Sequence, residues 1–477
     1  MLPIFQSFYS CKEDIIEDPE VGYISSDIKW IYKNMNESYL WQDEIKEITK
    51  YDTSSDAEDF FSQLISKNET KKQAVGLFSN GDTLFAEYHY SYMEENPNYT
   101  KSSEGTINTY GIDYLLYGVK DSNPTQYLAR VLYVYPNSPA ESAGVRRGMW
   151  ILDVNGEKLS ASNYKILETG GATVWNIYYG DLKIGEPNFT ANIEASEYIE
   201  NTPIIAHKIL DNGSSHKVGY IAYNHFSTGA GGFDDKSWDN NLKDVFTDFK
   251  YQGVNELVID LRYNLGGYLS CAQLLASLVI PNDKFNEVFC RLTYNESQKK
   301  KNTAVYFDNS VRNTSNLNLS RVYILTGEWT ASASEAVLNG LKGSGIMSDV
   351  IQIGYTTEGK NLASEEIKDN NYKWILHPIM AYVANKDYYG NYANGIVPEE
   401  KFFIDETDTK VHQKALCDLG DENELLLNMA LLDMGYLDSS SDNGSETKAI
   451  SVSNNANMFP VYNSVSKRRV KGTIIGF

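Results

Sequence analysis

A serine at the junction of a predicted strand and a predicted helix could act as a nucleophile. Residues 322–325 form a short apolar run that predicts a strand, and residues 335–342 have helical character. Ser332, in the segment 330–335 (TASASE), lies between them. Backbone N–H groups at a helix N-terminus can stabilise an oxyanion. The alternative role for a serine here is to cap the helix, and this segment alone does not distinguish the two.

A glycine pair, Gly266 and Gly267, follows another predicted strand, residues 256–261, whose continuous apolar run is typical of a buried parallel sheet. Glycine lets the backbone approach a ligand closely at the carboxyl edge of such a sheet. The N–H groups of this loop could therefore form the second half of an oxyanion hole.

Lys360 is the candidate base for such a serine. It follows a predicted strand at residues 350–353 and a turn that contains glycine. A lysine can act as a base when desolvation lowers its pKa from about 10.4 toward neutrality. No serine has the G-x-S-x-G pattern and no histidine lies in a recognisable triad motif, so a Ser–His–Asp site is not indicated. The alternative is an ordinary surface lysine in a turn.

Three ordered motifs resemble those of the S41 family, the C-terminal processing peptidases. They are residues 260–267 (DLRYNLGG, family D-L-R-x-N-P-G-G), residues 330–335 (TASASE, family T-A-S-A-S-E) and residues 359–360 (family G-K). The resemblance covers roughly residues 25–436. It implies an α/β chain with a crotonase-like catalytic core.

The same resemblance implies a role for each site residue. Ser332 would be the nucleophile and Lys360 the general base of a Ser–Lys dyad. The oxyanion hole would consist of the N–H of Ala333 and that of Gly266 or Gly267.

Two departures from the family pattern concern the lysine and the glycine loop. Leu265 replaces the family proline, which we expect to alter only the stiffness of the loop. Many members carry a glutamine four residues after the lysine, and here that position is Ser364. Another group, such as the adjacent Glu365, would then have to orient Lys360.

The segment before the predicted catalytic unit resembles a PDZ domain. A strand at residues 128–136 precedes Ser138-Pro139, which favours the start of a short helix, and Asn155-Gly156 is a hairpin signal. The resemblance covers roughly residues 111–200. Residues 111–113 match a carboxylate-binding loop only loosely.

The predicted organisation has five parts. They are a lipoprotein-like leader and linker (1–21), an S41-type helical N-terminal domain (22–110), a PDZ-like β-rich domain (111–205), the S41 catalytic domain (206–436), and a low-complexity linker and tail (437–477).

Composition limits the partners. The 477 residues carry 42 Lys plus Arg and 64 Asp plus Glu, a formal net charge of −22, which disfavours binding to nucleic acid. The four cysteines lack metal-site spacing, and the chemistry above requires neither a metal nor another cofactor. We expect a polypeptide substrate.

The N-terminus suggests a membrane anchor. Residues 1–10 are short and largely apolar and end at Cys11, which resembles the end of a bacterial lipoprotein signal with Cys11 as the lipidated residue. The sequence contains no run of 18 apolar residues. The expected location is the cell envelope, with the chain held as an outer-membrane lipoprotein, either periplasmic or surface-exposed.

Three functions are compatible with these patterns. The first is a serine endopeptidase that cleaves near the C-termini of polypeptides, with the PDZ-like unit binding or gating substrate. The second is a weakly active or inactive peptide-binding lipoprotein on the same scaffold, favoured by Ser364 in place of glutamine. The third, an acyl-group hydrolase, is disfavoured by the PDZ-like unit. Retention of both Ser332 and Lys360 favours the peptidase.

Overall fold

The protein is represented by a computed structural model that describes residues 24–77, 83–96, 106–119, 126–181, 186–409, 414–437, 458–466 and 475. The α-helices are α1 (Ser26–Ser38), α2 (Ala57–Gln63), α3 (Pro139–Ser142), α4 (Ser237–Tyr251), α5 (Leu269–Ser277), α6 (Ala333–Leu341) and α7 (Leu425–Asp433). Short 3₁₀ helices occur at Gln42–Glu44, Ile48–Lys50, Lys67–Glu69, Tyr164–Leu167, Asn282–Lys284, Lys299–Lys301, Asn309–Val311 and Glu400–Phe402.

The strands are also numbered along the chain. The first half contains β1 (Thr70–Leu77), β2 (Thr83–His89), β3 (Tyr92–Glu95), β4 (Thr106–Thr109), β5 (Ile112–Val119), β6 (Gln126–Val134), β7 (Trp150–Val154), β8 (Glu157–Lys158), β9 (Thr173–Tyr178), β10 (Phe189–Ile193) and β11 (Glu197–Glu200). The second half contains β12 (Ile204–Leu210), β13 (Val218–Tyr223), β14 (Glu256–Asp260), β15 (Val288–Tyr294), β16 (Thr303–Tyr306), β17 (Arg321–Thr326), β18 (Asp349–Gly354), β19 (Leu362–Ser364), β20 (Ile367–Lys368), β21 (Trp374–His377), β22 (Ile379–Ala384) and β23 (Met458–Asn463).

A five-stranded sheet in the order β12-β13-β14-β17-β18 carries the candidate site. Strands β13, β14, β17 and β18 are parallel, and β12 pairs antiparallel at one edge. Every residue of β13 and β14 is buried, because α4, α5 and α6 cover one face and α7 covers the other. The α/β character expected from the sequence is confirmed here. The carboxyl ends of β14 and β17 meet at one edge, so the glycine pair and Ser332 lie together.

A second sheet has the order β10-β9-β7-β6-β5-β23, with β8 paired to β7. Its predicted local signals are confirmed. Ser138 caps α3 by accepting the N–H of Glu141 at 3.2 Å. Asn155 and Gly156 have φ values of 53° and 81° and form the tight turn between β7 and β8.

The N-terminal segment shares its core with later residues. Strand β3 pairs antiparallel with β21. The apolar stripe of α1, which includes Ile31 and Met35, belongs to one buried cluster with Leu376 and Ile379. A 13-residue helix cannot bury such a stripe alone, so this segment packs onto β21 and β22. It also contains strands as well as the predicted helices.

The predicted tail is structured in part, which corrects the assignment of all residues 437–477 to a linker and tail. Strand β23 pairs antiparallel with β5. Val461 and Val465 are buried, and this burial stabilises the pairing. Cys11, the predicted lipidation site, lies outside the described residues. None of the described helices has both the length and the apolar character that a bilayer crossing requires.

A buried ionic network joins the second sheet to the glycine loop. Arg147, which follows α3, lies 2.7 Å from Glu406 and 3.3 Å from Glu424. Arg262, two residues after β14, pairs with the same two glutamates and, at 2.8 Å, with Asp260. Burial alone would raise the pKa of Glu406, but the charges of Arg147 and Arg262 outweigh it and hold this pKa far below its usual range.

We expect Arg147→Ala to lower the free energy of unfolding by about 3–5 kcal/mol, because it leaves buried carboxylate charge less compensated. Chemical denaturation measures this change. Arg146→Ala is the matched control, since Arg146 is exposed and its loss should change stability by at most about 0.5 kcal/mol. Equal stabilities of the two variants would contradict a structural role for the network.

Candidate active site

Ser332 lies in a strained turn between β17 and α6. Its φ is 63° and its ψ is −112°, a backbone conformation that costs a non-glycine residue energy. The turn places Ser332 immediately before the first residue of α6. The side chain is 2% exposed, and Oγ makes no hydrogen bond to any described residue. A strained strand-to-helix turn that presents a serine is the geometry of a nucleophile elbow, here without its glycines.

Asn264 ties the glycine loop to the serine turn. Its backbone oxygen accepts the N–H of Ala331 and the Oγ–H of Ser334, both at 3.0 Å. Its side-chain amide donates to the backbone oxygen of Tyr223 at 2.8 Å, and its Oδ1 accepts the N–H of Gly266 at 2.9 Å. One buried side chain therefore fixes both loops to the end of β13.

The glycine pair packs directly against Ser332. A Cβ on Gly266, whose φ is 103°, would lie 2.7 Å from the Cβ of Ser332 and 3.2 Å from the nitrogen of Ala333. A Cβ on Gly267 would lie 2.0 Å from the backbone oxygen of Phe226. Only glycine fits at either position. The N–H of Gly266 is already bound to Asn264, whereas those of Gly267 and Ala333 have no acceptor among the described residues.

Glu335 holds together the turn that contains Ser332 and the loop that contains Lys360. Its Oε2 accepts the backbone N–H of Ser332 at 2.7 Å and that of Lys360 at 2.8 Å. Its Oε1 accepts the hydroxyl of Thr357 at 2.6 Å and the N–H of Gly359 at 2.7 Å. All four partners are donors, so the arrangement fits an ionised carboxylate.

The charge state of Glu335 depends on two opposing effects. Its pKa is raised from the ordinary value of 4.5 to about 7, because complete burial disfavours the charged form by more than the four donated hydrogen bonds favour it. The group therefore titrates near neutral pH. A proton on either oxygen would disrupt at least one of the four bonds.

The N-terminal segment covers the Lys360 side chain. Lys360 is 5% exposed, and its Nζ lies 4.8 Å from the centre of the Tyr90 ring. Glu69 is also buried and accepts the N–H of Ser91 at 2.6 Å and its hydroxyl at 2.8 Å. Burial raises the pKa of Glu69, and the positive charge of Lys360 partly offsets that rise. In its ionised form, Glu69 would in turn favour the charged form of Lys360.

Glu365, suggested by the sequence as a partner of Lys360, makes contacts with other residues. It accepts the hydroxyl of Tyr294 at 2.6 Å and pairs with Lys301 at 3.0 Å. Ser364, at the position of the family glutamine, is buried at the end of β19.

The sequence motifs single out Ser332, Lys360 and the glycine pair as candidates, but not the groups that join them. A local pattern could have indicated the role of Glu335, since a serine followed three residues later by glutamate is a capping-box pattern. No local pattern indicates that Glu69 and Tyr90 lie near Lys360, because they are far from it along the chain. Among the described residues, no group of three or more His, Cys, Asp and Glu side chains could hold a metal ion.

Two protein-family models match this chain. The model of peptidase family S41 matches residues 217–402, and the model of the peptidase S41 N-terminal domain matches residues 28–92. The crystal structure of a Bacteroides fragilis protein assigned to the S41 proteases is 30% identical, with a TM-score of 0.71. The match covers 88% of this chain and 100% of that one. The chain belongs to peptidase family S41 and has its mixed, sheet-rich α/β fold.

The curated relatives include carboxyl-terminal processing proteases. The protease CtpB of Bacillus subtilis (strain 168) is 26% identical over 265 residues, which is 52% of this chain and 49% of the relative. The carboxyl-terminal-processing protease of Picosynechococcus sp. is 26% identical over 249 residues, 50% of this chain and 52% of the relative. The matches thus span about half the length of these relatives.

Proposed function

We propose that this protein is a serine endopeptidase in which Ser332 is the nucleophile and Lys360 the general base. The observation that carries this proposal is the shared carboxylate of Glu335, which accepts the backbone N–H of both residues on one oxygen. The two residues are 28 positions apart in the chain (360 − 332), and a scaffold without catalytic function has no need to join them.

In the proposed reaction, Lys360 in its neutral form removes the hydroxyl proton of Ser332 as Oγ attacks the substrate carbonyl. The N–H groups of Gly267 and Ala333 stabilise the resulting oxyanion. The bond to the leaving amine breaks as Lys360 returns the proton, and water then hydrolyses the acyl-enzyme. Since Ser332 Oγ is enclosed and not hydrogen-bonded, the loops around it must move before substrate binds.

The surrounding units have proposed roles in this function. The central layers are a crotonase-like core, and the sheet from β5 to β10 is a PDZ-like unit that binds or gates substrate. Cleavage near polypeptide C-termini is supported by the relatives named for carboxyl-terminal processing. Lipidation at Cys11 would hold the chain at the cell envelope, a proposal that rests on the sequence alone.

Labelling with a fluorophosphonate, followed by location of the modified residue, tests the proposal. We expect a single adduct on Ser332. Retention of soluble, folded protein without labelling, even with denatured protein substrate present, would instead favour the inactive peptide-binding scaffold.

We expect the hydrolysis rate to rise with pH between about pH 6 and 9, as Lys360 loses its proton. Initial rates on denatured casein measure this profile. A flat profile would count against Lys360 as the base.

The Glu69→Gln variant sharpens this test. It removes a carboxyl group whose ionised form would favour the charged form of Lys360, so the midpoint of the profile should move to lower pH. Glu58→Gln, a change at an exposed position of α2, is the control and should leave the midpoint in place. A purely structural role of Glu69 would lower the rate without moving the midpoint.

A further inference from the structure

Residues 458–466 add an extended segment to the free edge of the second sheet. Strand β23 runs antiparallel to β5, with Met458 opposite Val119 and Asn463 opposite Leu115. The residue numbers of the segment therefore rise toward the start of β5. A polypeptide that adds to a sheet edge gains backbone hydrogen bonds in this way, and its side chains give specificity.

The other wall beside the segment is the 3₁₀ helix Tyr164–Leu167. The ring of Tyr462 lies 4.8 Å from that of Tyr164 and 5.9 Å from that of Tyr114 on β5, measured between centroids. Its hydroxyl donates to Glu168 at 3.0 Å. The segment thus lies in a groove between a strand and a helix, and Tyr462 contacts both sides.

The groove accommodates this segment closely. A Cβ on Gly118 would lie 2.4 Å from Cζ of Phe459, so the glycine provides space for that ring. Beyond β23, the hydroxyl of Ser464 donates to Asp113 at 2.5 Å, and its backbone N–H donates to the oxygen of Tyr114 at 3.0 Å. Backbone pairing, an aromatic contact and a polar contact all stabilise one bound position.

The segment also joins an apolar cluster that includes residues from the two loops of the candidate active site. Val465 is completely buried in the same cluster as Leu265, from the glycine loop, and Trp329, from the loop before Ser332. Leu265 is therefore a packing residue between the second sheet and the site, rather than only a change in loop stiffness.

We propose that residues 458–466 are an intramolecular ligand of a groove that binds extended polypeptides, and that substrate must displace them. This inference rests on the proposed peptidase function for the identity of the competitor. The walls of the groove are β5 and the 3₁₀ helix, and β1 also lies beside the bound segment. Its preferred ligand has an aromatic side chain opposite Tyr164 and a second one over Gly118.

Binding of a fluorescein-labelled peptide with the sequence of residues 458–466 (MFPVYNSVS) tests this inference. All proteins carry Ser332→Ala so that the peptide is not cleaved. Adding Tyr462→Ala to the full chain should open the groove and tighten peptide binding at least about tenfold. Phe459→Ala is a second opening variant. Tyr251→Ala, at an 87% exposed position on α4, is the matched control and should bind like the parent.

With Ser332 intact, Tyr462→Ala should lower KM for denatured casein at unchanged kcat. Equal peptide affinity in parent and opened proteins, or no binding to either opened protein, would overturn the inference. The binding measurement does not depend on catalysis. Absence of hydrolysis in every protein would therefore refute the proposed peptidase function. The peptide titration would still show whether residues 458–466 compete for the groove.

Discussion

Replacement of Ser332 by alanine is expected to abolish hydrolysis of denatured casein, with a loss of at least about 10⁴-fold. The variant lacks the oxygen that would form the acyl-enzyme, and no other serine lies in the same strained turn. The substituted alanine would keep the backbone conformation, so we expect the thermal unfolding midpoint to change little. Release of acid-soluble fragments measures activity, and calorimetry checks the fold.

Ser344→Ala is the control for this experiment. Ser344 is exposed in the loop after α6, where its hydroxyl donates to Asp387 at 2.7 Å, so its loss should leave hydrolysis intact. Hydrolysis by Ser332→Ala at the parental rate would refute the assignment of the nucleophile. Loss of activity in both variants would point to a general effect on folding.

The Glu335→Gln variant should lose at least about 100-fold in hydrolysis rate and about 2–4 kcal/mol in the free energy of unfolding. The carboxylate now accepts hydrogen bonds from donors that include the N–H groups of Ser332 and Lys360. The amide nitrogen of glutamine is itself a donor and could not accept them. Each buried donor without an acceptor costs about 1–3 kcal/mol. The turn and the loop would then separate, and a displacement of about 1 Å is enough to reduce catalysis by about two orders of magnitude.

Glu335 should also give the parent opposite pH dependences of stability and activity. Its pKa is about 7 in the folded chain, above the ordinary value of 4.5, so the folded state binds more protons between these values. This contribution makes stability fall as pH rises from about 4.5 to 7. Activity should rise over the upper part of this range, since only the carboxylate accepts all four bonds.

Glu335→Gln should remove this stability change, because the amide does not titrate. Glu365→Gln is the matched control, since Glu365 is also near Lys360 in the chain but binds Tyr294 and Lys301. If Glu335→Gln hydrolysed casein as fast as Glu365→Gln does, the shared carboxylate would not assemble the site.

The sequence predicted the elements around the site because their signals are local. The predicted strands 256–261 and 322–325 correspond to β14 and β17, and α6 begins two residues before the predicted Glu335. The capping serine and the hairpin at Asn155-Gly156 depend on a few adjacent residues. By contrast, β23 lies after a polar run, and its partner β5 is more than 300 residues earlier in the chain. No local pattern specifies such a pairing.

The motifs around Ser332, Lys360 and the glycine pair are short and ordered, so the residue order alone indicates the candidate reactive groups and the family of the chain. The contacts that join these groups appear only in the folded chain. Glu335 links the two loops, Tyr90 covers Lys360, and the segment 458–466 fills the edge of β5. These contacts depend on buried polar groups and sheet edges finding partners distant in sequence. Such partners are selected by burial and geometry, which residue spacing does not encode.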